Sequence, residues 1–258
     1  MRHFINRSVL YLIGIICVAG VAFTTLAQAE TLVESSLFFR IYVAFSVDQK
    51  AAQAWLPAPW KAVSLPKGPF KGANLMVIFT DKFIAQDGEG KPDKKGTFCY
   101  AALVAFGKNE QTGEFSPFDI RIYWPYDDPG VYKVAVKAKV FRGATLQGAN
   151  LGGKVSEVWN VQDSAGGIMG FSMDYQRAVP KRTKREFKVR SSVEPDFFRI
   201  YRDDYANELL KSIPAGIDRV KNYKFRVTMS ELSEMLDGSE QLVGISVNRS
   251  RVRQIFLP

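Results

Sequence analysis

YKVAVKAKVF, Tyr132 to Phe141, alternates more regularly than any other segment of the chain. In an extended backbone Tyr132, Val134, Val136, Ala138 and Val140 leave one side, and Lys133, Ala135, Lys137 and Lys139 leave the other. Such a strand lies between a packed face and a polar one. Its lysines face either bulk water or a lined cavity, and the residues alone leave both open.

On either side of this stretch the chain reads as further strands. Phe38–Phe45, Asn74–Ile84, Thr97–Phe106 and Phe118–Trp124 precede it, separated by the polar DGEGKPDKKG loop at 87–96 and by PYDDPG at 125–130. Lys154–Val161 and Gly167–Tyr175 read as a hairpin, Phe187–Ser192 and Phe197–Tyr201 as shorter strands, and Tyr223–Met229 as another. Gln241–Val247 and Val252–Phe256 read as a closing hairpin. Three short helices are predicted: one after Asp48 that ends before Pro57, Asp204–Ile213 (DYANELLKSI), and Ser230–Leu236 closed by Gly238. About eleven strands with two or three short helices predict a mainly antiparallel β fold, a sheet curled into a barrel or cone.

The N-terminus reads differently. Arg2 and Arg7 precede an almost wholly apolar run, Val9–Leu26, and Ala27-Gln28-Ala29 has the small-x-small pattern that a signal peptidase cuts. Residues 1–29 are therefore expected to be a cleaved signal peptide, with an uncleaved anchor as the alternative, and residues 30–258 a single β-rich domain. The expected location is the periplasm or the exterior, with no stable membrane insertion after the leader is removed. Cleavage would take His3, the only histidine, and Cys17, leaving Cys99 as the sole cysteine of a 229-residue remainder of the 258. A Ser-His-Asp triad, a Cys-His dyad, an imidazole-based zinc site and an internal disulfide are then excluded. No metal site and no cofactor are expected, because no EF-hand spacing and no phosphate-binding glycine pattern occurs.

The formal charge of +9 falls to +7 without Arg2 and Arg7. A basic exported chain could meet anionic lipid, polysaccharide or an anionic small molecule, and nucleic acid is not expected of it. Its densest run, KRTKREFKVR at Lys181–Arg190, reads as a solvated hairpin or a charged edge strand. For chemistry, Lys137 and Lys139 leave one face two residues apart and would depress each other's pKa inside a cavity. Arg40 in FFRIY and Arg121 in DIRIY could each anchor a ligand carboxylate with a planar fork. Glu157 in VSEVWNV and Asp174 in GFSMDYQR sit inside strand-like runs that pair if the hairpin forms.

From Phe45 onward the order of VDQKAAQAWLP, KGANLMVIFTD, FCYAALVAFGKN, GEFSPFDIRIYW and YKVAVKAKVF resembles the acetoacetate decarboxylase-like superfamily. The resemblance implies a β-cone or barrel with an internal cavity, and, for an enzyme, a lysine Schiff base beside a second lysine. Lys137 or Lys139 falls nearest by position, but the Arg-Glu and Gly-Phe-Pro-Lys runs around the superfamily's nucleophile are absent. The expected function is therefore binding of a small, partly apolar, anionic ligand in the cavity. The alternative is a lysine-dependent decarboxylase or lyase acting on a β-keto acid.

Overall fold

Thr31–Ser46 (β1) is buried on both faces from Phe38 to Phe45, which explains why FFRIYVAF is nearly continuous in apolar residues. In the computed structural model, which describes residues 29–93, 95–148 and 152–258, this strand separates two interiors. Phe39, Ile41, Val43 and Phe45 enter the main core, while Ser36, Phe38, Arg40 and Tyr42 face a cavity. The leader read over residues 1–29 lies, but for Ala29, outside the described residues.

After β1 come a short helix α1 (Gln49–Gln53), β2 (Trp60–Ala62), β3 (Leu75–Asp87), β4 (Phe98–Asn109) and β5 (Phe115–Trp124). Asp48 caps α1 as expected, its carboxylate accepting from the backbone N–H groups of Lys50 and Ala51 at 2.8 and 2.9 Å. Then follow β6 (Ala135–Gln147), β7 (Lys154–Asp163), β8 (Ile168–Gln176), β9 (Lys181–Ser191), β10 (Phe198–Ser212), β11 (Ile217–Asp218), β12 (Val220–Val227) and β13 (Gln241–Leu257).

The sheet order is β12-β8-β7-β6-β5-β9-β10-β13-β1-β3-β4-β2, and β4 also pairs with β5. The pairing therefore returns on itself through β5, β9, β10, β13, β1, β3 and β4. The sheet curls into a ring with no free edge at β1 or β13. The join of β5 to β9 is narrow, two parallel residue pairs at Phe118↔Arg190 and Asp119↔Ser191. The basic run Lys181–Arg190 forms β9, which pairs with β10 along its length and leaves most of its other edge to charged side chains.

The arm β6-β7-β8-β12 folds against the outside of the ring. Alternate residues of β7 (Val155, Glu157, Trp159, Val161) and β8 (Met169, Phe171, Met173, Tyr175) are buried. They meet Phe79 of β3, whose ring centroid lies 5.4 Å from Trp159 and 5.1 Å from Phe171, and Phe225 lies 4.8 Å from Phe45.

Four expectations change. Asp204–Ser212 is part of strand β10 rather than a helix: it pairs with β13 on one side and with β9 (Asp204–Asn207) and then β11 (Lys211 and Ser212) on the other, and burial falls on alternate residues Glu208, Leu210 and Ser212. Sheet hydrogen bonds on both edges outweigh the helical propensity of Ala, Glu and Leu. Gln241–Leu257 is one 17-residue strand and not a hairpin, because the polar NRSR stretch forms a bulge instead of reversing the chain and sends Asn248 and Arg251 into the ring. Ser230–Leu236 shrinks to a 3₁₀ turn at Ser230–Leu232. The alternating stretch starts its strand only at Ala135, since Lys133 (φ 59°) sits in a turn whose N–H donates to Gly130 at 3.1 Å.

Candidate ligand-binding site

Side chains from all seven ring strands enclose a cavity of about 780 Å³, within the usual size range for small-molecule sites. Strand register stacks them in rows, as inward residues do in closed sheets. Arg40 of β1 lies opposite Thr80 of β3, and Thr80 opposite Tyr100 of β4. On the other side Arg40 pairs with Asn248 of β13, and Asn248 with Asn207 of β10. A polar belt thus crosses the middle of the cavity. Towards one mouth the next rows are Tyr42–Ile78–Ala102 and Ala44–Met76–Val104, followed by Phe106. Phe70 completes this apolar end by lying against Gly244, where a Cβ would stand 2.7 Å from its ring.

Arg40 is the centre of the belt. It is buried, and each of its polar nitrogens meets a neutral hydroxyl: Nε donates to Thr80 Oγ1 at 2.9 Å, Nη1 to Tyr42 at 3.4 Å and Nη2 to Tyr100 at 2.7 Å. Its guanidinium also lies 4.4 Å over the Phe38 ring. Among the described residues it makes no ion pair. Arg251 and Arg253 reach the same space from β13 and share Asp203 beneath them. Arg253 Nε donates to Asp203 Oδ1 at 2.7 Å, Arg251 Nη2 donates to Oδ2, and Arg251 Nη1 donates to Asn248 at 2.6 Å. Arg251 Nε is buried without a hydrogen-bond partner.

These charges set the ionisation of the cavity wall. Burial alone would raise Asp203, but Arg253 and Arg251 hold it well below the usual carboxylate range. Burial would also raise the Tyr42 phenol, yet Arg251, Arg40, Arg185 and Arg253 outweigh it and bring it down to about 8. Asp119 goes the other way: burial drives it up to about 6 although Arg40, Arg253 and Arg199 oppose this. The lining holds seven cationic side chains, Arg40, Lys82, Arg185, Lys188, Arg199, Arg251 and Arg253, against the carboxylates of Glu34, Glu114 and Asp119. That excess suits an anion.

Of the six candidate site residues read from sequence, only Arg40 lines this cavity, although Arg185 and Lys188 of the basic run, expected to be solvated, line it too. Lys137 and Lys139 are exposed on the outer face of β6, with Lys137 Nζ 3.3 Å from Asp127 Oδ2. Their strand runs in the outer arm, and its inward side is taken by Ala138, Val136 and Val140 on the main core. The face that carries the amines is therefore the solvent face. Arg121 points away from the cavity, donating to Glu231 at 2.6 Å, an anion that Tyr123 also holds at 2.6 Å. Glu157 is buried between the layers, clasped by Arg142 Nε and Nη2 at 3.2 and 2.9 Å, while Arg142 Nη1 reaches Asp81 at 2.8 Å. Asp174 sits on the next strand, but on the opposite face, where Asn222 donates to it at 2.6 Å. Cys99, beside Asp81 and Arg142, is pushed up to about 12 by burial and by Asp81, which removes it as a thiolate nucleophile.

Sequence reading missed Tyr42, Tyr100, Asp119, Asp203, Arg251 and Arg253. A signal existed for two of them, since Arg251 and Arg253 stand two apart in VNRSRVRQ and share a face if the strand runs through.

No family model matches this chain, and no curated protein matches it in sequence. Solved structures do match over nearly its whole length. An enduracididine biosynthesis enzyme, MppR, with HEPES buffer bound, superposes with a TM-score of 0.52 at 11% identity, covering 91% of this chain and 89% of that one. The same enzyme complexed with pyruvate gives 0.51 at 10% identity, covering 90% and 91%. An acetoacetate decarboxylase-like enzyme from Sphingomonas wittichii RW1 gives 0.51 at 10% identity, covering 88% and 91%. At such identities the likeness shows the fold. The chain has the acetoacetate decarboxylase-like fold, as the order of its sequence features implied.

Proposed function

We propose that this is an exported protein that holds a small, partly apolar anion inside the ring. The observation that carries the reading is Arg40: a buried guanidinium whose protein neighbours are neutral hydroxyls, beside a cavity lined mostly by apolar groups. A buried charge that makes no ion pair leaves a place for an anion to be supplied. Export rests on the leader read at residues 1–29.

The alternative is a lysine imine formed on a β-keto acid. Its amine would not be Lys137 or Lys139, which are exposed. Lys82 is the buried amine in the cavity lining, and its Nζ is engaged with Glu34 Oε1 at 2.8 Å. Binding without covalent chemistry therefore stands first.

Thermal unfolding of the full chain against a panel of carboxylates with apolar bodies tests this. A ligand at a hundredfold its Kd should raise the midpoint by about 5–10 °C, and Arg40→Gln should abolish the rise. No shift with any anion would remove the binding reading. A borohydride-trapped adduct with a β-keto acid, lost in Lys82→Ala, would replace it with the imine enzyme.

A further inference from the structure

The hydroxyls around Arg40 carry more than a count of partners. A tyrosine hydroxyl has one proton to give and two lone pairs. Tyr42 and Tyr100 each accept from Arg40, at 3.4 and 2.7 Å, and among the described residues neither donates to a protein acceptor. Each therefore has its own proton left, and both side chains line the cavity. Arg40 holds both oxygens, so it fixes two O–H donors with a positive charge behind them. A cation backing hydroxyl donors stabilises an anion that they hold.

The two sides of this belt differ. Towards Phe98 the row is Phe38–Lys82–Phe98, closed by the Lys82–Glu34 ion pair at 2.8 Å. Towards Phe106 the β3 and β4 wall is apolar throughout: Ile78, Met76, Ala102, Val104 and Phe106. From Tyr100 to Phe106 the strand runs for about 20 Å. Phe70 and Phe115 continue the apolar lining at that end.

We infer that the ligand is an amphiphilic monocarboxylate, its head on the Tyr42 and Tyr100 hydroxyls and its hydrocarbon body along Ile78, Met76, Val104 and Phe106. This rests on the reading of the cavity as an anion site and adds the chemical class and the direction in which the ligand lies. Arg40 positions the donors and supplies charge. The apolar rows supply the dependence on chain length.

Calorimetric titration of the full chain with hexanoate, octanoate and decanoate, with decanol as the neutral control, tests both halves. Affinity should rise about fourfold per added methylene, and decanol should bind far more weakly than decanoate. Tyr42→Phe and Tyr100→Phe keep the ring and remove the donor. Each should weaken decanoate by about tenfold or more while unfolding at close to the wild-type temperature. Equal decanoate affinity in wild type and both variants would overturn the head assignment while leaving the anion site in place. Equal affinity for hexanoate and decanoate would overturn the tail assignment. Absence of binding for these acids and for bulkier aromatic carboxylates alike would remove the underlying anion reading as well.

Discussion

Asp119→Asn should make the protein more stable at neutral pH, an unusual sign for a change inside a core. Burial raises this carboxyl from 3.8 to about 6, even with Arg40, Arg253 and Arg199 drawing it down. Each tenfold in proton affinity is worth about 1.4 kcal/mol. Holding Asp119 ionised therefore costs the folded state about 3 kcal/mol at pH 7. The direction follows from where each state loses the proton. The unfolded chain does so near 3.8 and the folded chain near 6, so this group's stabilising contribution is full below 3.8 and is lost as pH rises through about 6. Asparagine has the same shape and no charge, and it escapes that loss. Urea unfolding followed by tryptophan fluorescence, repeated from about pH 4 to 7.5, reads the difference directly. The two proteins should come within about 0.6 kcal/mol of each other at the acid end, and the variant should lead by about 3 kcal/mol at pH 7. A difference that does not change with pH, or a more stable wild type at pH 7, would refute the reasoning, because the cavity would then be wet enough to solvate the carboxylate. The same variant removes a negative charge from the lining and should tighten binding of anions.

Three further outcomes follow from the same geometry. Tyr42, brought down to about 8, should appear as one phenol ionising near that pH in ultraviolet difference spectra, and the step should vanish in Tyr42→Phe. Since its ordinary value is 10, the wild type should gain stability over Tyr42→Phe as pH rises from about 8 and lose it as pH falls back through 8, while anions bind less tightly above 8. Asp203→Asn leaves Arg251 and Arg253 buried without their shared counterion and should cost about 3–5 kcal/mol in urea unfolding at pH 7. Lys137→Ala and Lys139→Ala, on the exposed face of β6, should each change stability by no more than about 0.5 kcal/mol and leave carboxylate binding unaltered in calorimetry.

The fold was legible where one strand face is polar or where a turn is chemically explicit. The hairpin read over Lys154–Val161 and Gly167–Tyr175 is β7 and β8, joined by a turn in which Asp163 Oδ1 accepts from the backbone N–H groups of Ala165 and Gly167. Asp48 marked the start of α1 in the same way. The site was legible only at Arg40, because one charged residue in a run that is otherwise apolar on both faces has to be accounted for. Lys137 and Lys139 misled for a physical reason. Alternation states that a strand has a polar side, and solvent and a lined cavity satisfy it equally. What decides between them is which layer the strand joins, and β6 leaves the ring after three parallel pairs with β5 to enter the outer arm. Tyr100 and Asp203 were hidden because their partners, Arg40 for the one and Arg251 and Arg253 for the other, stand about fifty to sixty residues away in sequence and are brought beside them by register alone. DYANELLKSI reads as helix locally, and only pairing on both edges makes it a strand whose buried side includes Glu208.

Mass spectrometry of the small molecules released when the purified full chain is denatured tests the central claim most directly, because a cavity whose cations outnumber its carboxylates, with an Arg40 that makes no ion pair among the described residues, should retain an anion through purification. The expected result is a carboxylate with a hydrocarbon body in wild type and its loss in Arg40→Gln. The same compounds in both preparations, or a cationic or purely sugar-like molecule in the wild type, would contradict the account.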